Sequence, residues 1–145
     1  MIRPNPALVA AFRVLVAAAA LSLAPGASAG PVKTEHVEAE LVAAKTALVP
    51  GEPITVALRL AMEKGWHTYW RNPGDSGLPT TLAWKLPAGV EAGSIEWPVP
   101  RALPVGPLVN YGYEGEVLHL VELKPQRALT VGSSVVLAAR AEWLV

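Results

Sequence analysis

The fold of this 145-residue chain is decided by the stretch Ile54-Thr55-Val56-Ala57-Leu58-Arg59-Leu60-Ala61-Met62. Its large apolar side chains come at every second position, with small or polar residues between them. Successive side chains of a β-strand point to opposite faces, so this period of two predicts a half-buried strand. A helix would need apolar residues at positions i, i+3 and i+4, which this run does not show.

Similar segments recur towards both ends of the chain. Strands are predicted at residues 35–42, 66–70, 80–86, 94–97, 117–123 and 135–143, separated by turns rich in proline and glycine. The prolines of residues 98–107 cannot donate to a sheet, so that segment is expected at an edge or in a crossing between sheets. No part of the chain after residue 29 has helical periodicity. The pattern predicts an all-β fold, an antiparallel β-sandwich.

The first 29 residues have a different composition. Arg3 provides a basic start, an apolar run is densest from Val14 to Leu21, and Pro25-Gly26 precedes the small residues Ala27-Ser28-Ala29. This order is typical of a secretory signal peptide, expected to be helical and to be cleaved after Ala29. A membrane anchor is the alternative, but Arg13 interrupts the run, and a spanning helix needs about 20 apolar residues. Residues 30–34 are interpreted as a linker, and 35–145 as the folded domain.

The charge and cysteine content exclude several functions. Without its first 29 residues the chain keeps 10 basic and 12 acidic residues, and it contains no cysteine. A weakly acidic chain argues against nucleic-acid binding, which requires a basic patch to neutralise phosphates. The absence of cysteine rules out thiol chemistry and disulfide bridges within this sequence.

The most unusual stretch follows the strand at residues 54–62. It is Gly65-Trp66-His67-Thr68-Tyr69-Trp70-Arg71-Asn72-Pro73-Gly74-Asp75-Ser76-Gly77-Leu78-Pro79. Alternation predicts Trp66, Thr68 and Trp70 on a core-facing side and His67, Tyr69 and Arg71 on the other. The residues from Asn72 onwards are expected to form a loop in which Asn and Asp side chains bond to local backbone N–H groups. The candidates for partner binding or for a structured loop are His67, Tyr69, Arg71, Asn72 and Asp75.

Other kinds of site have less support. The three histidines His36, His67 and His119 are far apart and lack the paired spacing of metal ligands, so no metal site is predicted. Ser76 near His67 lacks the nucleophile elbow of a hydrolase. A carbohydrate- or ligand-binding sandwich stays open, because exposed Trp and Tyr rings can stack on sugars while Arg71, Asn72 and Asp75 bond hydroxyl groups.

The long stretch at residues 65–81 resembles the N-terminal periplasmic domain of DsbD-type protein-disulfide reductases, in their ScsB-like branch. Three further runs are similar to the same family in the same order: Ile95-Glu96-Trp97-Pro98, Asn110-Tyr111-Gly112-Tyr113-Glu114-Gly115-Glu116-Val117 and Ala141-Glu142-Trp143-Leu144-Val145. The resemblance extends from about Glu35 to Val145. It implies an immunoglobulin-like sandwich in the periplasm, attached to a protein of the inner membrane.

The resemblance also implies a function and a set of residues. Such domains carry a cysteine pair, receive electrons from a membrane-embedded domain through a thioredoxin-like domain, and pass them to periplasmic disulfide proteins by thiol–disulfide exchange. A cap loop shields the cysteines, and Tyr111, Gly112, Tyr113 and Glu114 stand at its place, with Gly112 and Gly115 expected to let it swing. No cofactor is implied.

The sequence departs from the family at its end. The cysteine pair would follow shortly after Trp143-Leu144-Val145, where this sequence stops. We therefore expect a fragment or a degenerate relative that is inactive as a reductase by itself. A sandwich lacking its last strands would expose an unpaired edge at residues 135–145, which favours aggregation.

Overall fold

The computed structural model describes residues 8–16, at the level of the backbone, and residues 30–145. These residues form twelve strands: β1 Leu8–Val16, β2 Val32–Lys33, β3 Val37–Ala43, β4 Ala47–Leu48, β5 Ile54–Met62, β6 His67–Gly74, β7 Thr81–Lys85, β8 Val90–Ala92, β9 Arg101–Val105, β10 Leu108–Glu114, β11 Glu116–Pro125 and β12 Ser134–Glu142. The described residues contain no helix, and hence none that could span a membrane. The prediction of an all-β fold is confirmed.

The strands form three hydrogen-bonded sheets. A five-stranded sheet has the order β2-β3-β5-β11-β8, a four-stranded sheet the order β4-β1-β12-β7, and a three-stranded sheet the order β6-β10-β9. All strand pairs are antiparallel except β1 with β4. The sheets enclose one apolar core in a sandwich-like arrangement, as expected for an immunoglobulin-like fold.

The core follows from the alternation in the sequence. In β5 the buried positions include Ile54, Val56, Leu58, Leu60 and Met62, all the large apolar residues of that strand. The inward residues of β3 and β11 lie beside them, and Leu137, Ala139 and Ala141 of β12 approach from the opposing sheet. Burying a Val or Leu side chain contributes about 1.5–3 kcal/mol, so this face drives folding.

The outward face of the same sheet carries charges. Arg59 lies between acidic side chains, with N–O distances of 3.3 Å to Glu38, 3.8 Å to Glu40 and 2.7 Å to Glu116. Its hydrogen bonds to Glu116 and Glu38 raise the pKa of the guanidinium above its ordinary value. Ion pairs in contact with solvent, as these half-buried ones are, add little to stability, so the core remains the dominant contribution.

The N-terminal region differs from the expected helical leader. Leu8–Val16 forms strand β1, antiparallel to β12, with Leu8 opposite Ala141 and Leu15 opposite Ser134. In the full chain β12 thus has a partner on each side, β7 and β1. The unpaired edge at residues 135–145 was predicted for the chain without residues 1–29, in which β1 is absent, so that prediction stands untested. The backbone groups of β12 that face away from β7 require hydrogen-bond partners, and β1 supplies them. The rest of the expected leader, with the cleavage position after Ala29, lies outside the described residues.

Two other segments were wrongly assigned. Residues 30–34, expected to be a linker, contain β2, in which Val32 lies opposite Ala39. Residues 94–97, expected to be a strand, form only one isolated bridge, between Glu96 and Leu120, while the strand itself comes earlier as β8. Glycine and proline residues flank both segments. Because these residues signal turns, the short strand pairings could not be predicted from the sequence.

Candidate functional site

The segment expected to be a mobile cap is part of a β-hairpin. Residues 111–114 lie within β10, which pairs with β9 on one side and with β6 on the other. The tight connection at Gly106-Pro107 joins β9 to β10, and Pro104 lies in β9, the edge strand of that sheet. The prediction of a loop at residues 111–114 is therefore wrong. Tyr111 and Tyr113 belong to the paired strand β10, although Gly112 and Gly115 lie beside them.

Gly112 is required by packing rather than by flexibility. A Cβ atom at this position would collide with the carbonyl oxygen of Thr68 in β6. The pairing of β10 with β6 also shifts register between Asn110 and Gly112, which is a β-bulge or a similar irregularity. Glycine in a strand often marks such a close approach of two backbones. Gly112 thus allows β10 to dock on β6.

The two tyrosines of the cap segment have different environments. Tyr113 is only 7% exposed and its hydroxyl donates to the carbonyl oxygen of Pro98 at 2.8 Å. Burial raises the pKa of Tyr113 to about 12, so the hydroxyl keeps its proton and acts as a donor. Tyr111 is 40% exposed. Within the cap segment, Tyr113 is therefore a structural anchor and Tyr111 is the aromatic side chain available to a partner.

In β6 the face assignment is partly wrong. Tyr69, predicted to point outwards, is buried, and its ring lies where a Cβ atom of Gly77 would be. Trp66, predicted to enter the core, is 37% exposed and stacks on His36 with ring centroids 3.6 Å apart. Thr68 is fully buried and Trp70 packs against the core, as predicted. β6 has buried side chains on both faces, so simple alternation fails.

The loop after β6 is fastened to the hairpin. The carboxylate of Asp75 accepts the backbone N–H of Val109 at 2.8 Å, and the N–H of Asp75 donates to the carbonyl of Val109 at 3.1 Å. The side-chain oxygen of the buried Asn110 accepts both the N–H and the hydroxyl of Ser76, at 2.9 and 3.1 Å. Asp75 was predicted to bond to a local backbone N–H group. Its carboxylate bonds instead to the N–H of Val109, in the distant strand β10.

The other candidates of this stretch are not brought into one cluster. Arg71 is exposed and its guanidinium lies 5.2 Å from the centre of the Trp70 ring. Asn72 is exposed, whereas His67 is half-buried beside Tyr69, at 4.9 Å between ring centroids. Burial raises the pKa of Tyr69 above its usual value. The exposed members, Arg71 and Asn72, are the ones that a partner could reach.

Asn110→Ala is expected to destabilise the protein by about 2 kcal/mol, because it removes an acceptor used by two donors of Ser76 in a buried place. Equilibrium urea unfolding measures the change. Asn72→Ala provides the matched control, since Asn72 is exposed, and should change the free energy of unfolding by less than about 0.5 kcal/mol. Equal effects of the two substitutions would show that the Asn110–Ser76 contact does not hold the loop.

The end of β12 is connected to this hairpin through a series of strand pairings. Glu142 is opposite Thr81, Pro79 forms a bridge with Tyr69, and Tyr69 is opposite Gly112. Because neighbouring strands are about 4.8 Å apart, these pairings connect the cap segment to the C-terminal end of β12 through a few adjacent backbones. The two segments are therefore linked only indirectly, through β7, the segment at Pro79 and β6.

His119, one of the three histidines without the spacing of metal ligands, is a buried residue of the core. It is fully buried in β11, and neither ring nitrogen has a hydrogen-bond partner among the described residues. Its ring meets Trp97 and Tyr113 edge-on, with centroid distances of 5.0 and 5.5 Å. Burial lowers the pKa of His119 to about 4, because the charged ring would be poorly solvated. The strand alternation of Val117, His119 and Val121 was the available signal for its burial.

The side chains of this region can contact a partner through exposed rings and hydrogen bonds. No group of three His, Cys, Asp or Glu side chains in the described part of the chain could hold a metal ion. No cysteine is present in the sequence, so none of these residues can exchange electrons through sulfur. The hairpin, the β6 loop and the segment at Trp97 offer surfaces and hydrogen bonds.

Comparison with known proteins gives the family. Residues 37–145 match the family described as thiol:disulfide interchange protein DsbD, N-terminal. The structure is similar to the crystal structure of the N-terminal periplasmic domain of ScsB from Proteus mirabilis, with a TM-score of 0.53 and 24% sequence identity. That match covers 79% of this chain and 49% of the other, so the chain spans about half the length of the solved domain. No curated protein matches the sequence. The chain belongs to the family of N-terminal domains of thiol:disulfide interchange protein DsbD.

Proposed function

We propose that this chain is the scaffold half of a periplasmic electron-transfer domain. In this proposal the parent protein takes electrons from a membrane-embedded domain through a thioredoxin-like domain and passes them to periplasmic disulfide proteins. The observation that carries the proposal is the family match over residues 37–145, nearly the whole sandwich. An exported location is supported by the leader-like composition of residues 1–29.

The chemical step belongs to residues that follow Val145. In thiol–disulfide exchange a thiolate attacks one sulfur of a disulfide and displaces the other as a thiolate, after which a second thiol completes the transfer of two electrons. The chain has no thiol, so we propose that a cysteine pair lies beyond Val145.

In this proposal residues 111–114 shield the cysteine pair as a fixed wall instead of a swinging loop. Gly112 docks the strand on β6, and Tyr113 is tied to Pro98. The exposed ring of Tyr111 then covers the approach to the cysteines. Arg71 and Asn72, in the neighbouring strand β6, are exposed as well and contribute to the same surface. A rigid wall still restricts access of wrong oxidants, because it narrows the directions from which a disulfide can approach.

The proposal is tested by reading the coding sequence past Val145 and expressing the complete product. We expect two closely spaced cysteines and reduction of a disulfide substrate when a reduced thioredoxin-like donor is supplied. The 145-residue chain serves as the control and should show no thiol-dependent reduction, since it has no cysteine. A reading frame without later cysteines, or a complete product that cannot accept electrons, would refute the proposal.

The carbohydrate-binding alternative gains no specific support. The carboxylate of Asp75, one of its proposed hydroxyl ligands, is already bonded to the N–H of Val109. One face of the exposed Trp66 ring is covered by His36. Sugar binding normally needs free polar groups beside an open aromatic face, and neither Asp75 nor the stacked face of Trp66 is free.

A further inference from the structure

Part of one edge of β11, at Glu116 and Leu118, is left without a backbone partner among the described residues. The carbonyls of Leu120 and Glu122 accept N–H groups from Glu96 and Gly93, on the side away from β5. In an antiparallel strand alternate residues direct their N–H and C=O groups to the same edge. The backbone groups of Leu118 and Glu116 therefore face this edge too, and no described residue pairs with them there.

The prolines after Trp97 explain why the edge is open. The chain bonds to β11 at Glu96 and then enters Trp97-Pro98-Val99-Pro100, where neither proline has an N–H to donate. The hydroxyl of Tyr113 holds the carbonyl of Pro98 at 2.8 Å, which keeps this segment beside β10. A cavity of about 660 Å³ lies between this segment, the end of β10 and the free edge of β11.

The cavity has apolar and acidic walls. Leu118 is 42% exposed and Val99 is 92% exposed, so two apolar side chains reach solvent at its border. Glu96, Glu114 and Glu116 also line the cavity, whereas Arg101 is the one cation among its lining residues. Glu116 is bonded to Arg59, and Glu96 and Glu114 have no ion-pair partner among the described residues. The excess of acid favours a basic ligand.

We propose that this cavity, which we call the β11 groove, binds an extended peptide segment of a partner protein in which basic and apolar residues alternate. The segment adds as a short strand to the edge at Glu116 and Leu118, a mode that takes its affinity from main-chain hydrogen bonds. Its basic side chains lie near Glu96 and Glu114, and its apolar side chains lie against Leu118 and Val99. This binding involves no thiol, and it shares Glu114 with the segment proposed to shield the cysteine pair.

The test uses the full 145-residue chain and a fluorescent hexapeptide of alternating lysine and valine. Two analogues carry N-methyl groups on backbone nitrogens. In one analogue the backbone nitrogens of the three lysines are methylated, and in the other those of the three valines. Only one edge of an added strand bonds to β11, so one analogue should bind at least tenfold more weakly and the other should bind within threefold of the parent. Equal binding of both analogues, or no binding of the parent peptide, would overturn the proposal.

Variants locate the site. Leu118→Pro removes an N–H that faces the groove and leaves the pairing with β5 intact, so peptide affinity should fall at least tenfold. Glu96→Gln and Glu114→Gln should each weaken binding about threefold at low salt. Glu122→Gln makes the same charge change on β11 outside the groove and should have less than a twofold effect. A glutamate–valine hexapeptide that binds as tightly as the lysine peptide would contradict the charge argument.

Discussion

Gly112→Ala is expected to lower the free energy of unfolding by about 3 kcal/mol, near the upper end of what overpacking costs. The added methyl group would meet the carbonyl oxygen of Thr68, which belongs to the backbone of β6 and cannot rotate away. β6 and β10 would have to separate, and the pairs that join Gly112 to Tyr69 and Tyr113 to Thr68 would lengthen. A loss of this size is a large part of the total stability of a small domain.

Urea denaturation followed by tryptophan fluorescence measures this effect. Gly30→Ala is the matched control, because nothing lies within 4 Å of a Cβ atom at that position, and it should leave the midpoint unchanged. If Gly112→Ala unfolds at the same urea concentration as the parent protein, then β10 is not docked on β6 as described. The fixed hairpin, and with it the proposed wall, would have to be abandoned.

Acid is expected to destabilise the protein through His119. Its pKa falls from 6.5 in the unfolded chain to about 4 in the folded protein, so between these values the unfolded chain binds the extra proton. Stability from the neutral ring is complete above the unfolded pKa and is lost as the pH falls towards the folded pKa. Lowering the pH from about 7.5 to about 5 should cost about 2 kcal/mol from this residue.

His119→Leu separates this contribution from that of other groups. The variant keeps an apolar side chain against Trp97 and Tyr113 and removes two unpartnered nitrogens, so it should be at least as stable as the parent at neutral pH. Its urea midpoint should change far less between the two pH values. The same pH dependence in His119→Leu and in the parent would place the acid-sensitive group elsewhere.

Much of the core could be predicted from the sequence because its signal is local. The alternation in residues 54–62 gives the inward face of β5 correctly, and Val117, His119 and Val121 alternate in the same way in β11. Each of these strands has one face in the core and one towards solvent, so a period of two is sufficient information.

The site was harder to predict because its glycines serve long-range contacts. Tyr111-Gly112-Tyr113 has the composition of a loop, yet Gly112 is needed where β10 approaches Thr68. Tyr69 is buried because Gly77, eight residues later, leaves room for its ring. A single sequence does not state which backbone will pass close to a glycine, so local patterns could not find the hairpin.

The groove on β11 was not predicted for a related reason. The prolines at 98 and 100 correctly indicated an edge, but the sequence does not show which strand loses its partner there. That strand is identified only by the bridge between Glu96 and Leu120 and by the register of β11 with β5.

The most direct test of the fixed hairpin is native-state amide hydrogen exchange on the full chain. Exchange reports the free energy of local opening, so docked strands are protected and mobile loops are not. The amides of Asn110 and Gly112, which have strand partners in both β6 and β9, should exchange at rates within about tenfold of those of Leu58 and Leu60 in β5. Exchange as fast as that of the exposed turn at residues 131–133 would show instead a mobile cap, and would contradict the fixed wall.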